Sequence, residues 1–239
     1  MIKTIEKDGK KIVLIGTAHI SKKSKEQVKE VIEAEKPEIV AIELDRNRFL
    51  GLMNKDKVKP KLSQIFKTKK PFLFLLQFIL SKYQKKIASD FNISPGEEMI
   101  QAVESAKMVG AKILLADRNI NITLERLMKK LTFKDKLKLL FGRMSKEDAK
   151  KVNINNLLKG VEESEETSEE VDKVIQLLME KQKKLKEVLV DERDQYIAYQ
   201  LQMVEANCIV VVVGAGHVNG IASNLDNKEI DIKKLVSVK

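Results

Sequence analysis

Residues 208–220 read CIVVVVGAGHVNG. Isoleucine and four valines run without alternation into a Gly-Ala-Gly turn and a histidine. An unbroken β-branched run of this length marks a strand buried on both faces, as in a parallel sheet covered by helices on each side. Three other stretches share the pattern: KIVLIG at 11–16, EIVAIEL at 38–44 and KILLAD at 112–117. Helical periodicity fills 21–36, 94–109, 120–144 and 155–206. The segment at 94–109 opens Ser-Pro-Gly-Glu, which predicts proline at the first helical position. The order β-α-β-insert-α-β-α-α-α-β predicts an α/β fold, with a mostly parallel central sheet, flanking helices and long helical insertions.

The 239 residues suit a single domain spanning 1–239, with insertions near 53–91 and 131–187. At 43% hydrophobic residues a core can form, which excludes a wholly disordered chain. One cysteine, Cys208, excludes a disulfide scaffold and cysteine-rich zinc motifs. The polar start MIKTIEKDGKK does not read as a signal peptide. No apolar run approaches the ~18 residues of a membrane-spanning helix. Localisation is therefore expected to be cytoplasmic or at the cytoplasmic face of a membrane.

The net charge of +10 is concentrated. Residues 55–86 hold ten lysines against one aspartate, around the apolar decamer PFLFLLQFIL at 71–80. That decamer is either a buried helix with lysines at both ends or a segment that lies on an anionic membrane surface or docks a partner. A nucleic-acid ligand is not expected: aromatics are 5% and only six of the 45 basic residues are arginine. Periodic Leu, Ile and Met across 120–206 exceed what a cover over four strands needs, so a homodimer through the helical insertions is expected.

The chain has two histidines, and each stands three residues after a glycine, just past a predicted strand. One is in Gly16-Thr17-Ala18-His19, the other in Gly214-Ala215-Gly216-His217. Open α/β sheets bind ligands outside the carboxyl ends of their strands, so both fall at the expected crevice. The other strands end in charge: Glu43, Asp45 and Arg46 after one, Asp117 and Arg118 after another. A helical segment adds Glu192, Arg193 and Asp194. In a lysine-rich chain an arginine supplies a planar two-toothed fork that lysine cannot copy. Asp117–Arg118 and Glu192–Arg193 are equally readable as structural ion pairs bracing the site.

Two chemistries fit these residues. Two imidazoles, His19 and His217, with a Glu or Asp carboxylate can hold a divalent metal and leave a position for water. Without metal, His19 can act as general base held by Glu43, with Arg118 or Arg193 stabilising an oxyanion. Arg46, Asp117 and Asn219 are expected to contact substrate, with Asp45, Glu192 and Asp194 supporting. No Walker A loop, His-Glu-x-x-His or Gly-x-Ser-x-Gly motif is present.

GTAHIS at 16–21, ELDR at 43–46, PGEEM at 95–99, ADRNINITLERL at 116–127, ERDQYIA at 192–198 and VVGAGHVNGI at 212–221 together resemble the TraB/PrgY family, grouped with the Tiki proteins, in an archaeal-type form. The match runs in order over nearly the whole chain. The resemblance implies a fold similar to the erythromycin esterase and ChaN-like group. Tiki members are described as metal-dependent proteases whose two Gly-x-x-His motifs and an acidic residue form the active site; the matching positions are His19, His217 and Glu43. It implies a divalent metal (Mn, Co or Zn), whereas the esterases use His and Glu without an obvious metal. PrgY members lower the level of a peptide pheromone by cleavage or sequestration. Archaeal members commonly carry C-terminal transmembrane helices after this domain. The expected function is thus a metal-dependent hydrolase, a peptidase by preference. Its alternatives are a sequestering module for a peptide or small molecule at a membrane surface, and a metal-independent esterase-like hydrolase.

Overall fold

A computed structural model describes residues 1–17, 22–53, 96–132 and 186–238. In chain order these form β1 (Ile2–Lys7), β2 (Lys10–Thr17), α1 (Lys22–Glu35), β3 (Ile39–Ile42), α2 (Arg46–Met53), α3 (Glu97–Val109), β4 (Lys112–Leu115) and α4 (Ile120–Lys130). A π-helical turn (Glu187–Asp191) then leads into α5 (Glu192–Met203) and β5 (Cys208–Gly214). A 3-10 turn (Ala215–His217), α6 (Val218–Asn224) and α7 (Ile232–Val236) follow.

The valine run is the central strand. The sheet order is β1-β2-β5-β3-β4, with β5 parallel to both β2 and β3. Alternate residues of each strand serve opposite layers, because successive side chains point to opposite faces. Ile12, Leu14, Ile209, Val211 and Val213 pack with Ile197 and Leu201 of α5 and Ile221 of α6. Val13, Ile15, Val40, Val210 and Val212 pack with Val28 and Ile32 of α1 and Met99 and Val103 of α3. The unbroken hydrophobic runs are thus required by two helical layers, and the predicted α/β class holds.

The structure differs from the sequence reading at five points. Strand β1 was not expected: it pairs antiparallel with β2 through Asp8 and Gly9, at φ 49° and 76°. Two residues of positive φ suit the tight turn that joins right-twisted strands, and Asp-Gly supplies them. β3 stops at Ile42, so Glu43 leaves the sheet although its N–H still donates to Val212 O at 3.1 Å. The helix expected over 120–144 ends at Lys130, where Leu131 is extended, and that expected over 155–206 ends at Met203. Helix α3 begins at Glu97 behind a left-handed Gly96, while Ser94 and Pro95 lie outside the described residues. The same is true of the lysine-rich segment 55–86, the decamer 71–80 and nearly all of both predicted insertions, on which the expected dimer rested. Among the described residues no helix is long and apolar enough to cross a membrane.

Leu14 is fully buried in the sheet. Leu14→Ala is expected to cost about 2–5 kcal/mol, seen as a lowered urea midpoint at unchanged m-value.

Candidate active site

The parallel strands deliver their last residues to one edge. Thr17 is paired with Gly214, and Ile42 lies between Val212 and Leu115. Glu43, Asp117 and His217 therefore emerge side by side. Helix α5 crosses this edge and adds Arg193 and Asp194.

Arg193 joins the cluster. Its Nε donates to both Asp117 oxygens at 3.1 Å, and its Nη2 to Asp117 Oδ2 at 2.7 Å and to Glu43 Oε1. Its Nη1 donates to Leu189 O at 3.0 Å and faces His217 Nε2 at 3.3 Å. Every N–H of the guanidinium is thereby engaged. Glu43 Oε2 accepts the Gly214 N–H at 2.7 Å, tying the end of β3 to the end of β5. Glu43 Oε1 lies 3.4 Å from His217 Nε2.

His217 Nδ1 meets Asp194 Oδ1 at 2.6 Å. A carboxylate there assigns the proton to Nδ1 and leaves the Nε2 lone pair toward Arg193 and Glu43. Gly220 permits this contact: a Cβ on it would stand 1.8 Å from Asp194 Oδ2. The glycine of the other motif, Gly16, has a similar reason, since its Cβ would meet a Val218 methyl at 2.7 Å. By contrast a Cβ on exposed Gly216 would meet nothing within 4 Å among the described residues.

Burial pushes the Glu43 carboxyl up, but Arg193, His217 and the Gly214 N–H together hold it below its ordinary value. Burial acts likewise on Asp117, where Arg193 and Arg48 prevail and lower it. Burial lowers Arg193, yet Asp117 and Glu43 raise it overall. Asp194 is raised by burial, with His217 opposing. Glu43 and Asp117 are thus carboxylates neutralised by guanidinium.

The adjacent pairs read from the sequence exchange partners. Arg193 goes to Asp117, and Arg118 goes to Glu192. Neighbours on a helix diverge by about 100°, so Glu192, Arg193 and Asp194 reach three different partners. Arg118 lies away from the cluster with its guanidinium wholly buried. It donates to Thr123 Oγ1 (3.0 Å), Glu192 Oε2 (2.8 Å), Leu235 O (2.8 Å) and Val188 O (3.2 Å). Arg126 grips the same Glu192 through both carboxylate oxygens, at 2.7 and 2.8 Å. Burial raises Glu192, but these two arginines bring it from 4.5 to about 2. Asp45 accepts from the Asn47 and Arg48 N–H groups at 2.8 and 3.2 Å, so it caps α2. It also accepts Arg48 Nε at 2.7 Å, while Arg48 Nη2 reaches Asp117. Arg46 and Asn219, expected to contact substrate, are exposed. His19 lies outside the described residues.

Sequence reasoning missed Arg48 and Gly220. The Asp45-x-x-Arg48 spacing, one helical turn, carries a signal for the first. The contact of Gly220 with Asp194 carries none in the sequence.

The described residues hold two of the three expected metal ligands, and the third, His19, lies outside them. Among them no three His, Cys, Asp or Glu side chains are grouped to hold one. The two expected ligands that are described, Glu43 and His217, both face Arg193.

The profile of the TraB/PrgY/gumN family matches residues 1–231. The chain is 40% identical to the protein MJ1365 of Methanocaldococcus jannaschii over 95% of this chain and 57% of that one. It is 26% identical to the TraB domain-containing proteins of mouse and human, over 98% of this chain and 67% of each. The chain therefore spans a little over half the length of its archaeal relative.

Two substitutions test the geometry. Gly220→Ala is expected to destabilise by about 1–3 kcal/mol through its clash with Asp194, against less than about 0.5 for Gly216→Ala, in paired thermal melts. Glu192 has its folded pKa lowered, so its stabilisation is present above pH 4.5 and lost as pH falls toward about 2. Glu192→Gln should therefore be less stable at neutral pH and show a shallower loss of stability across that window, measured by unfolding at a series of pH values.

Proposed function

The chain belongs to the TraB/PrgY/gumN family, and on that premise we propose that it is a hydrolase of acyl bonds, a peptide bond by preference, working at the strand-end cluster. The observation that carries this reading is the 2.6 Å contact of His217 Nδ1 with Asp194 Oδ1, which aims Nε2 at Glu43 and Arg193. An imidazole held by a carboxylate on one nitrogen is equipped to take a proton on the other.

In the proposed step a water attacks the carbonyl carbon of the substrate and gives its proton to His217 Nε2. Asp194 stabilises the imidazolium that results. Once protonated, Nε2 no longer accepts from Arg193 Nη1, which stood 3.3 Å away. That N–H is released to the developing oxyanion, while Nε2–H has Glu43 Oε1 3.4 Å away to receive it. The imidazolium then returns its proton to the leaving amine or alkoxide. A donor freed at the moment charge appears favours the transition state over the ground state. His19 belongs to the proposal as the histidine two residues beyond Thr17, whose strand neighbour is Gly214.

The test is turnover by the purified chain on a peptide library and an ester panel, with product identified by mass. Asp194→Asn and His217→Ala are expected to lower kcat by about 10²–10⁴. Arg193→Lys is expected to cost about 10²–10³, because an ammonium cannot span the same partners. Tight binding of a peptide with no product under any condition would instead make the site a sequestering one.

A further inference from the structure

A metal ion in this cluster would need the His217 Nε2 lone pair and a Glu43 oxygen on one cation. The two atoms are close enough, at 3.4 Å, to serve a common centre. The centre is taken. Arg193 Nη1 points at Nε2 from 3.3 Å and Nη2 donates to Glu43 Oε1. The guanidinium is anchored behind by Asp117 at 2.7 Å and by Leu189 O at 3.0 Å. Its side chain is 14% exposed and the Asp117 side chain 1%. Swinging it out would leave a buried Asp117 with Arg48 as its remaining cation.

We propose that the Arg193 guanidinium is the resident cation of the strand-end site, holding the position between Glu43 Oε1 and His217 Nε2 that a divalent metal would require. Arginine keeps its proton at any ordinary pH, so the position stays cationic, and a second cation beside it is repelled. The site then carries its own electrophile. Its work does not depend on metal supply, contrary to what the resemblance to metal-dependent proteases implies. The inference uses the site location adopted above but not its turnover, and a binding measurement tests it whether or not any substrate is found.

The full chain, as purified and after dialysis against chelator, is titrated calorimetrically with Mn²⁺, Co²⁺ and Zn²⁺. Arg193→Gln, Glu43→Gln, His217→Ala and the Arg193→Gln/His217→Ala double variant are run beside it, with circular dichroism confirming the fold. The wild type is expected to show no binding that depends on Glu43 or His217. Arg193→Gln leaves Glu43 without its guanidinium and Asp117 with Arg48 alone, and is expected to bind metal at least about tenfold more tightly than wild type. The double variant should lose that gain. Metal uptake that persists unchanged in both Glu43→Gln and His217→Ala lies elsewhere and agrees with the proposal. One equivalent bound by wild type and abolished by either of those substitutions overturns it. A folded Arg193→Gln that gains no metal affinity also overturns it. Should Arg193→Gln not fold, the wild type against Glu43→Gln and His217→Ala decides alone.

Discussion

One guanidinium holds the carboxyl edge of this sheet together. Glu43 and Asp117 leave neighbouring strands as buried acids, and each would be costly there without a counter-charge. Arg193 serves both and reaches His217 as well. Four segments of chain, the ends of β3 and β4, helix α5 and the turn after β5, meet through one planar group. A buried acid left behind by loss of such a partner costs about 3–5 kcal/mol in other proteins, so the constraint acts on the fold as much as on chemistry.

Helix α5 is the element that the constraint organises. The π-helical turn before it offers Leu189 O to Arg193. On the next residues the helix turns Glu192 toward Arg118 and Arg126, and Asp194 toward His217. Arg118 and Arg126 in turn hold carbonyls of α7 and the residues just after it: Leu235 O at 2.8 Å from Arg118, and Ser237 O at 2.6 Å from Arg126. The pose of the histidine is thus continuous, through α5, with the packing of the last described helix. Gly220 completes it from the other side, by leaving room for Asp194 where any side chain would collide.

Much of this was legible in the sequence, for identifiable reasons. The four parallel strands were visible because burial on both faces demands unbroken apolar runs. Glu43, Asp117 and His217 were visible because residues just past parallel strands gather at one edge. β1 was not visible as a strand in IKTIEK, where the exposed edge tolerates lysine and glutamate, although Asp8-Gly9 marked its turn. The partner exchange between Asp117–Arg118 and Glu192–Arg193 was not legible either. Adjacent residues point to different sides of the backbone, so sequence adjacency gives no pairing. Arg48 was hidden because its role comes from Asp117, which lies 69 residues away in the chain.

The distribution of arginine follows the same physics. The chain has six arginines among 45 basic residues, and Arg143 lies outside the described part. Arg48 links Asp45 to Asp117, and Arg118 joins Glu192 to two carbonyls and a hydroxyl. Arg126 grips Glu192 with both teeth of its fork, and Arg193 spans Asp117, Glu43 and His217. Each holds its partners through a planar fork, whose fixed directions an ammonium on a flexible stem does not supply. The described lysines, by contrast, make contacts an ammonium can satisfy, such as Lys11 with Glu35 at 2.6 Å on the half-exposed surface. These four arginines stand where direction matters, while a fifth, Arg46, is exposed. Arg193 carries the most such directions into the cluster, and the position of its positive charge is set by the geometry of its fork.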